Sequence, residues 1–166
     1  MDSLPEPWMR GPIPEIDPLI APVLYSFQQA REDLRRWTEG LSAGQLWATS
    51  FACASVGFHI RHIAGSTGRL MSYLQGKSLN AGQLAALQAE HEPAQLGRDE
   101  LLALLDAAFD DAEAVVRALD PVTLCEPRAV GRQRLPTTVI GLLFHIAEHT
   151  QRHVGQAICA AKLAAM

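Results

Sequence analysis

The chain has 166 residues, a length that fits a single domain, 1–166, with a sizeable hydrophobic core. Hydrophobic residues make up 48% of it and aromatic residues only 6%, and its abundant alanine and leucine favour helix over strand. A formal net charge of −4, without a basic run, is not typical of proteins that bind a phosphate backbone. We therefore expect an all-helical protein that binds no nucleic acid.

Targeting and membrane signals are not predicted. The first residues, MDSLPEPWMRGP, are acidic and broken by proline, unlike a secretory signal or an amphipathic anchor. Nowhere do 18 apolar residues run together, as a membrane-spanning helix requires. We expect a soluble, cytoplasmic protein with no membrane partner. Three cysteines without CxxC spacing indicate small core residues, or a reactive thiol, rather than a disulfide framework: Cys53, Cys125 and Cys159.

Four segments have the periodicity of amphipathic helices, and four such helices can share one core as a four-helix bundle. Good N-caps and glycine or proline stops set their ends. The predicted limits, in chain order, are Asp17 or Pro22 to Gly40, Ser55 to Gly76, Asp99 to Asp120, and Thr138 to Leu163.

The connections predict the topology. About twenty residues separate the second and third helices, where an antiparallel hairpin needs only a few, so this long connection allows a crossover that makes the two helices parallel. Within it, NAGQLAALQAEH is typical of a short extra helix. Between the third and fourth helices, CEPRAVGRQRLP is polar and basic, and we expect a solvated loop or the anion-binding rim of a pocket.

The last helix contains LLFHIAEHTQRHVGQ, in which three histidines stand four residues apart. A turn of about 100° per residue places His149 and His153 on one face, about 6 Å apart in rise, near enough to share an ion. His145 and His153 are about 12 Å apart along the axis, so this helix supplies two ligands at most. His149 and His153 fall beside the apolar line and face the core, whereas His145 lies nearer its edge.

The second helix offers a third imidazole. His59 and His62 both flank its apolar stripe, on the side that also carries Ser66 and Tyr73, and their spacing does not decide between them. An HxxxH pair alone is a weak signal. Two histidine pairs on different helices, both beside apolar faces, indicate a metal site.

These residues resemble the DinB/YfiT-like superfamily of metalloenzymes. Its members are four-helix bundles whose second helix carries a histidine ahead of an apolar-small pair, and whose last helix carries HxxxH followed by xGQ. In this chain these elements are RHIAGSTGRL and HTQRHVGQ, and the likeness extends over nearly the whole sequence. The resemblance implies a crossover topology and a homodimer.

The resemblance also implies one divalent metal ion bound by His62, His149 and His153, with His59 and His145 as less expected ligands. Zinc or nickel is the expected metal, ahead of iron or manganese. Some relatives are thiol-dependent transferases or isomerases that use a low-molecular-weight thiol such as bacillithiol or mycothiol. We therefore expect a small-molecule substrate, and such a thiol as its co-substrate.

The implied activity is that of a metal-dependent thiol S-transferase or hydrolase. An ion with an open position activates a thiol or water for transfer to, or hydrolysis of, a small electrophilic substrate. The alternative is a non-catalytic helical bundle with a structural metal or a histidine-lined ligand pocket. Four side chains are candidates for hydrogen bonds to the free ring nitrogens of the ligands: Glu148, Gln156, Ser66 and Tyr73.

Residues 1–16 are expected to be an extended segment ahead of the helices, because Pro7 and Pro12 interrupt any helix there. Two alternatives follow for this segment. It is a disordered tail, or it packs across the end of the bundle with Trp8 as a buried anchor and covers the metal.

Overall fold

A computed structural model describes residues 4–49, 53–90, 92, 94 and 96–166. Within these ranges the chain is mostly helical, which confirms the all-α prediction. None of the described helices is both long and apolar enough to cross a membrane. The elements are α1 (Ala21–Trp37), α2 (Ala43–Trp47), α3 (Val56–Leu74), α4 (Ala81–Ala89), α5 (Arg98–Arg117), β1 (Pro127–Val130), β2 (Leu135–Thr138) and α6 (Val139–Ala164).

Four long helices, α1, α3, α5 and α6, enclose a hydrophobic core. Helices α5 and α6 each pack against both α1 and α3. Phe27 of α1 and Phe109 of α5 are fully buried, and their rings stack with centroids 4.5 Å apart. The apolar stripes predicted from the sequence face this core. Helix α6 therefore presents one fixed face to α3.

Helices α3 and α5 run in the same direction. Trp47 packs on Gly57 at the start of α3 and donates its indole N–H to the carbonyl of Leu96, just before α5, at 2.9 Å. A Cβ on Gly57 would lie 2.7 Å from the Trp47 ring, so glycine is needed for this packing. At the other end Met71 and Val115 line one groove. The long connection therefore returns the chain to the same end of the structure, as its length predicts.

The predicted extra helix in this connection is α4. None of its residues is buried, and polar contacts hold it to α3. Gln83 donates to the hydroxyl of Ser72 at 2.8 Å, and Arg61 donates to the carbonyl of Ala89 at 3.0 Å. These contacts place Glu90, the residue after α4, against the surface of α3.

The connection between α5 and α6 differs from the predicted solvated loop. It forms an antiparallel hairpin in which Pro127 lies opposite Thr138 and Val130 opposite Leu135. Each strand has only four residues and contains a proline, so the sequence shows no alternating pattern. The short helix α2 is likewise absent from the prediction.

The three cysteines are exposed, so the prediction of core residues is wrong.

The N-terminal segment lies along α1. Residues 4–16 are described, and residues 1–3 of the predicted segment lie outside the described residues. Pro7–Met9 form a 3-10 turn, and both terminal nitrogens of Arg10 bind the carboxylate of Glu32 at 2.7 Å. Trp8 is 62% exposed, so it is not a buried anchor. The salt bridge holds the segment against α1 rather than over the histidines.

Candidate metal centre

Histidines from α3 and α6 meet where these two helices pack. One ring nitrogen from each of His62, His149 and His153 lies within 4.8 Å of the others. His149 and His153 share one face of α6, and His62 faces them from α3, with its Nε2 3.3 Å from Nε2 of His149. All three rings are partly buried. This group can hold a metal ion.

A carboxylate orients His62. Its Nδ1 lies 2.8 Å from Oε2 of Glu90, whose side chain is buried with 4% of the residue exposed. An ionised carboxylate only accepts hydrogen bonds, so Nδ1 carries the proton and Nε2 presents its lone pair to the centre of the group. The guanidinium of Arg69, also buried, binds both oxygens of Glu90. It compensates the charge that the carboxylate brings into the interior.

Glu90 is ionised at neutral pH. Burial raises the pKa of its carboxyl group, but hydrogen bonds from His62 and Arg69 outweigh burial and hold that pKa below its ordinary value. The carboxylate therefore remains a strong acceptor for His62 under conditions in which imidazoles bind metals.

Gly65 makes room for this carboxylate. The residue lies on α3 between His62 and Arg69, and a Cβ there would overlap Oε1 of Glu90. The same Cβ would lie 2.8 Å from a terminal nitrogen of Arg69. A side chain at this position would push the carboxylate away from its place beside His62.

Ser66 lies beside the ring of His149. The serine hydroxyl donates to the carbonyl of Ile63 at 3.1 Å, and its oxygen lies 3.5 Å from Nδ1 of His149. The Nε2 atom of His62, which carries no proton because Glu90 holds the proton on Nδ1, lies 3.3 Å from Nε2 of His149. Two nitrogens that each lie about 2.0–2.1 Å from one tetrahedral zinc ion are separated by a distance of this size.

His153 has its own partner, which is His59. Their Nδ1 atoms are 3.0 Å apart, and His59 is buried with 5% of the residue exposed. This contact occupies Nδ1 of His153 and leaves its Nε2 for the group. The structure thus places His59 behind His153. The ring of Phe58 stacks on His62, with centroids 5.5 Å apart, and forms an apolar wall beside the group.

The remaining candidates lie elsewhere. His145 is exposed and binds Glu148 at 2.7 Å, and Glu148 also binds Arg152. Gln156 is exposed on α6. Tyr73 stands eleven residues after His62 on α3, about 16 Å along the helix axis. Of the four candidates for outer hydrogen bonds, only Ser66 contacts the three-histidine group within the described part of the chain.

Sequence reasoning misses Glu90, Arg69 and Gly65. Glu90 stands 28 residues after His62, in the crossover, and no local pattern joins the two. One signal is present: an arginine among the apolar residues of a buried helix needs an acidic partner. That signal identifies Arg69 but not which acid it binds.

Three imidazoles of this site, those of His59, His149 and His153, are neutral at neutral pH. Burial, and then the neighbouring charge of His62, lowers the pKa of His59 and of His149 to about 4. The same two causes lower the pKa of His153 to about 3. Neutral imidazoles are the form that ligates metals. The donor set therefore fits a divalent metal ion.

An all-α fold with three histidines between two of its helices defines a class of protein, the helical proteins that can hold a metal ion. The sequence model of the DinB superfamily matches residues 26–157, from α1 to α6, and includes all three histidines. The chain belongs to the DinB superfamily. No curated protein matches the chain.

The depressed histidine pKa values make stability depend on pH. Between about pH 6.5 and 4 the unfolded chain binds protons at His59, His149 and His153 that the folded chain does not bind. The free energy of unfolding of the metal-free protein therefore falls as pH falls through this window, by about 1.4 kcal/mol per pH unit for each such proton. Urea unfolding with a chelator, at several pH values, measures the slope. His149→Leu should reduce it, and an equal slope in this variant would contradict the account.

The packing of Gly65 against Glu90 predicts a specific effect on metal affinity. In Gly65→Ala the new methyl group displaces the carboxylate from His62, and we expect affinity for zinc to fall about 10- to 100-fold. Competition with a chromophoric chelator measures this affinity. Gly68→Ala, on the same helix with no atom within 4 Å of its Cβ, is the matched control and should bind zinc as the parent does. Equal affinities in the two variants would show that Glu90 does not support His62.

Proposed function

We propose that the protein is a metal-dependent enzyme in which His62, His149 and His153 hold one divalent ion, zinc or nickel. The ion activates a thiol or water for attack on a small electrophilic substrate. One observation carries the proposal: the Nε2 atoms of His62 and His149 lie 3.3 Å apart, and the hydrogen bond between Nδ1 of His62 and Glu90 leaves the Nε2 lone pair of His62 free for a ligand bond. That arrangement suits two nitrogens that share one cation.

The chemistry follows from the ligand set. Three neutral imidazoles leave the charge of a bound ion uncompensated, so the ion supplies Lewis acidity and lowers the pKa of a thiol or water at an open position. Glu90 accepts from His62 and makes that imidazole a stronger donor to the ion. The three rings are partly exposed, which gives a small molecule access from solvent, and Phe58 offers an apolar surface beside them.

The number of donors favours catalysis over a structural role. A structural zinc site has four protein ligands, whereas a catalytic one has three and an exchangeable position. Among the residues that the structure describes, the group comprises three. His59 is engaged with Nδ1 of His153 at 3.0 Å, so it supports a ligand instead of closing the site.

The proposed activity predicts metal-dependent consumption of thiol. The protein, loaded with zinc or nickel, should accelerate the reaction of a low-molecular-weight thiol with a small electrophile such as an epoxide. The assay follows free thiol with time for cysteine, glutathione, bacillithiol and mycothiol, and mass spectrometry of the product separates thiol addition from hydrolysis. His149→Ala should lose the acceleration because it removes one ligand and weakens metal binding.

His145→Ala is the matched control, because His145 lies on the same helix, on its exposed side. It should retain bound metal and activity. A protein that holds one equivalent of metal but accelerates neither thiol addition nor hydrolysis would favour the structural role. Activity that survives in both His149→Ala and the chelated protein would contradict the proposal.

A further inference from the structure

A cavity lies on the opposite side of α6 from the histidines. Ala147 and Gln151, which stand two residues before and after His149, point into it, since two residues turn a helix by about 200°. Its volume is about 650 Å³, within the usual range for small-molecule sites. The N-terminal segment and α1 supply the other walls, in which Trp8, Pro22 and Tyr25 provide the apolar and aromatic surface.

The hydrogen-bond donors in these walls are committed to partners in the protein. Two hydroxyl groups donate to backbone carbonyls, and the indole N–H donates to a carboxylate of its own segment. The pairs are Ser26 to Ala147 (3.1 Å), Tyr25 to Gly11 (2.8 Å) and Trp8 to Glu6 (2.7 Å).

Hydrogen-bond acceptors in these walls, in contrast, outnumber the available donors. Oε1 of Gln29 is buried without a hydrogen-bond partner among the described residues, while its amide nitrogen donates to Asp33 at 2.8 Å. Three carboxylates line the cavity, and no lysine, arginine or histidine does among the residues described there. Glu148 is compensated by Arg152, but Glu6 and Asp33 form no salt bridge within the described part of the chain.

We infer that this cavity binds a small organic cation that carries N–H donors on an apolar body, such as a primary ammonium compound. The carboxylates of Asp33 and Glu6 accept hydrogen bonds from the N–H groups of the ligand and balance its charge. The aromatic faces of Trp8 and Tyr25 attract a cation and cover its apolar part. An anion of the same shape meets three carboxylates and no positively charged side chain among the described residues that line this cavity, so it binds less tightly than the cation.

Three probes with one shared body test this inference: 2-phenylethylammonium, 2-phenylethanol and 3-phenylpropanoate. Isothermal titration calorimetry of the full chain at low ionic strength measures their affinities. We expect binding of the ammonium compound, at least tenfold weaker binding of the alcohol, and none of the carboxylate. Asp33→Asn and Trp8→Ala should each weaken ammonium binding at least tenfold.

Asp111→Asn is the matched control, because it removes one exposed carboxylate from α5, away from the cavity. It should leave the affinity for the ammonium compound unchanged, and circular dichroism checks that each variant is folded. Equal affinity for the three probes, no binding of the ammonium compound, or equal losses in the Asp33 and Asp111 variants would overturn the inference. His149→Ala should bind the probe as the parent does, which separates this site from the metal centre.

Discussion

The buried ion pair between Glu90 and Arg69 is the interaction on which the candidate metal centre depends. An ionised carboxylate in the interior is costly unless its charge and its lone pairs are satisfied, and here Arg69 and His62 do both. The position of Glu90 in turn requires α4 to lie against α3, and the space for it requires Gly65. The crossover therefore does more than return the chain to the end at which α3 begins, because it also fixes the imidazole that α3 contributes.

The apolar core and the polar centre support each other. Packing of α3 against α6 brings His62 to within hydrogen-bond distance of His149, and burial in the surrounding core lowers the pKa of His149 and keeps its ring neutral. The core fixes both helices, so the ring nitrogens are held close together before any ion binds. An ion that binds only the folded chain would stabilise the fold.

Much of this could be predicted from the sequence, and the reasons for the misses are physical. Helical periodicity predicts α1, α3, α5 and α6, and the i, i+4 spacing predicts that His149 and His153 share a face. Only the resemblance to a family favoured His62 over His59 as the third ligand, because both residues flank the same apolar stripe of α3. The partners of His62 could not be predicted because they come from tertiary contacts across 28 residues. The hairpin is missed because its four-residue strands are too short to show the alternation of apolar and polar residues that predicts a strand.

The central claim is that three histidines hold one divalent metal ion. Elemental analysis of the protein, purified without a metal-affinity column, tests it most directly, with His62→Ala, His149→Ala and His153→Ala measured alongside the parent. The account predicts about one equivalent of metal in the parent, given one three-ligand group, and its loss from each variant while helix content is retained. No metal in the parent even after incubation with zinc and nickel, or unchanged metal content in the variants, would contradict it.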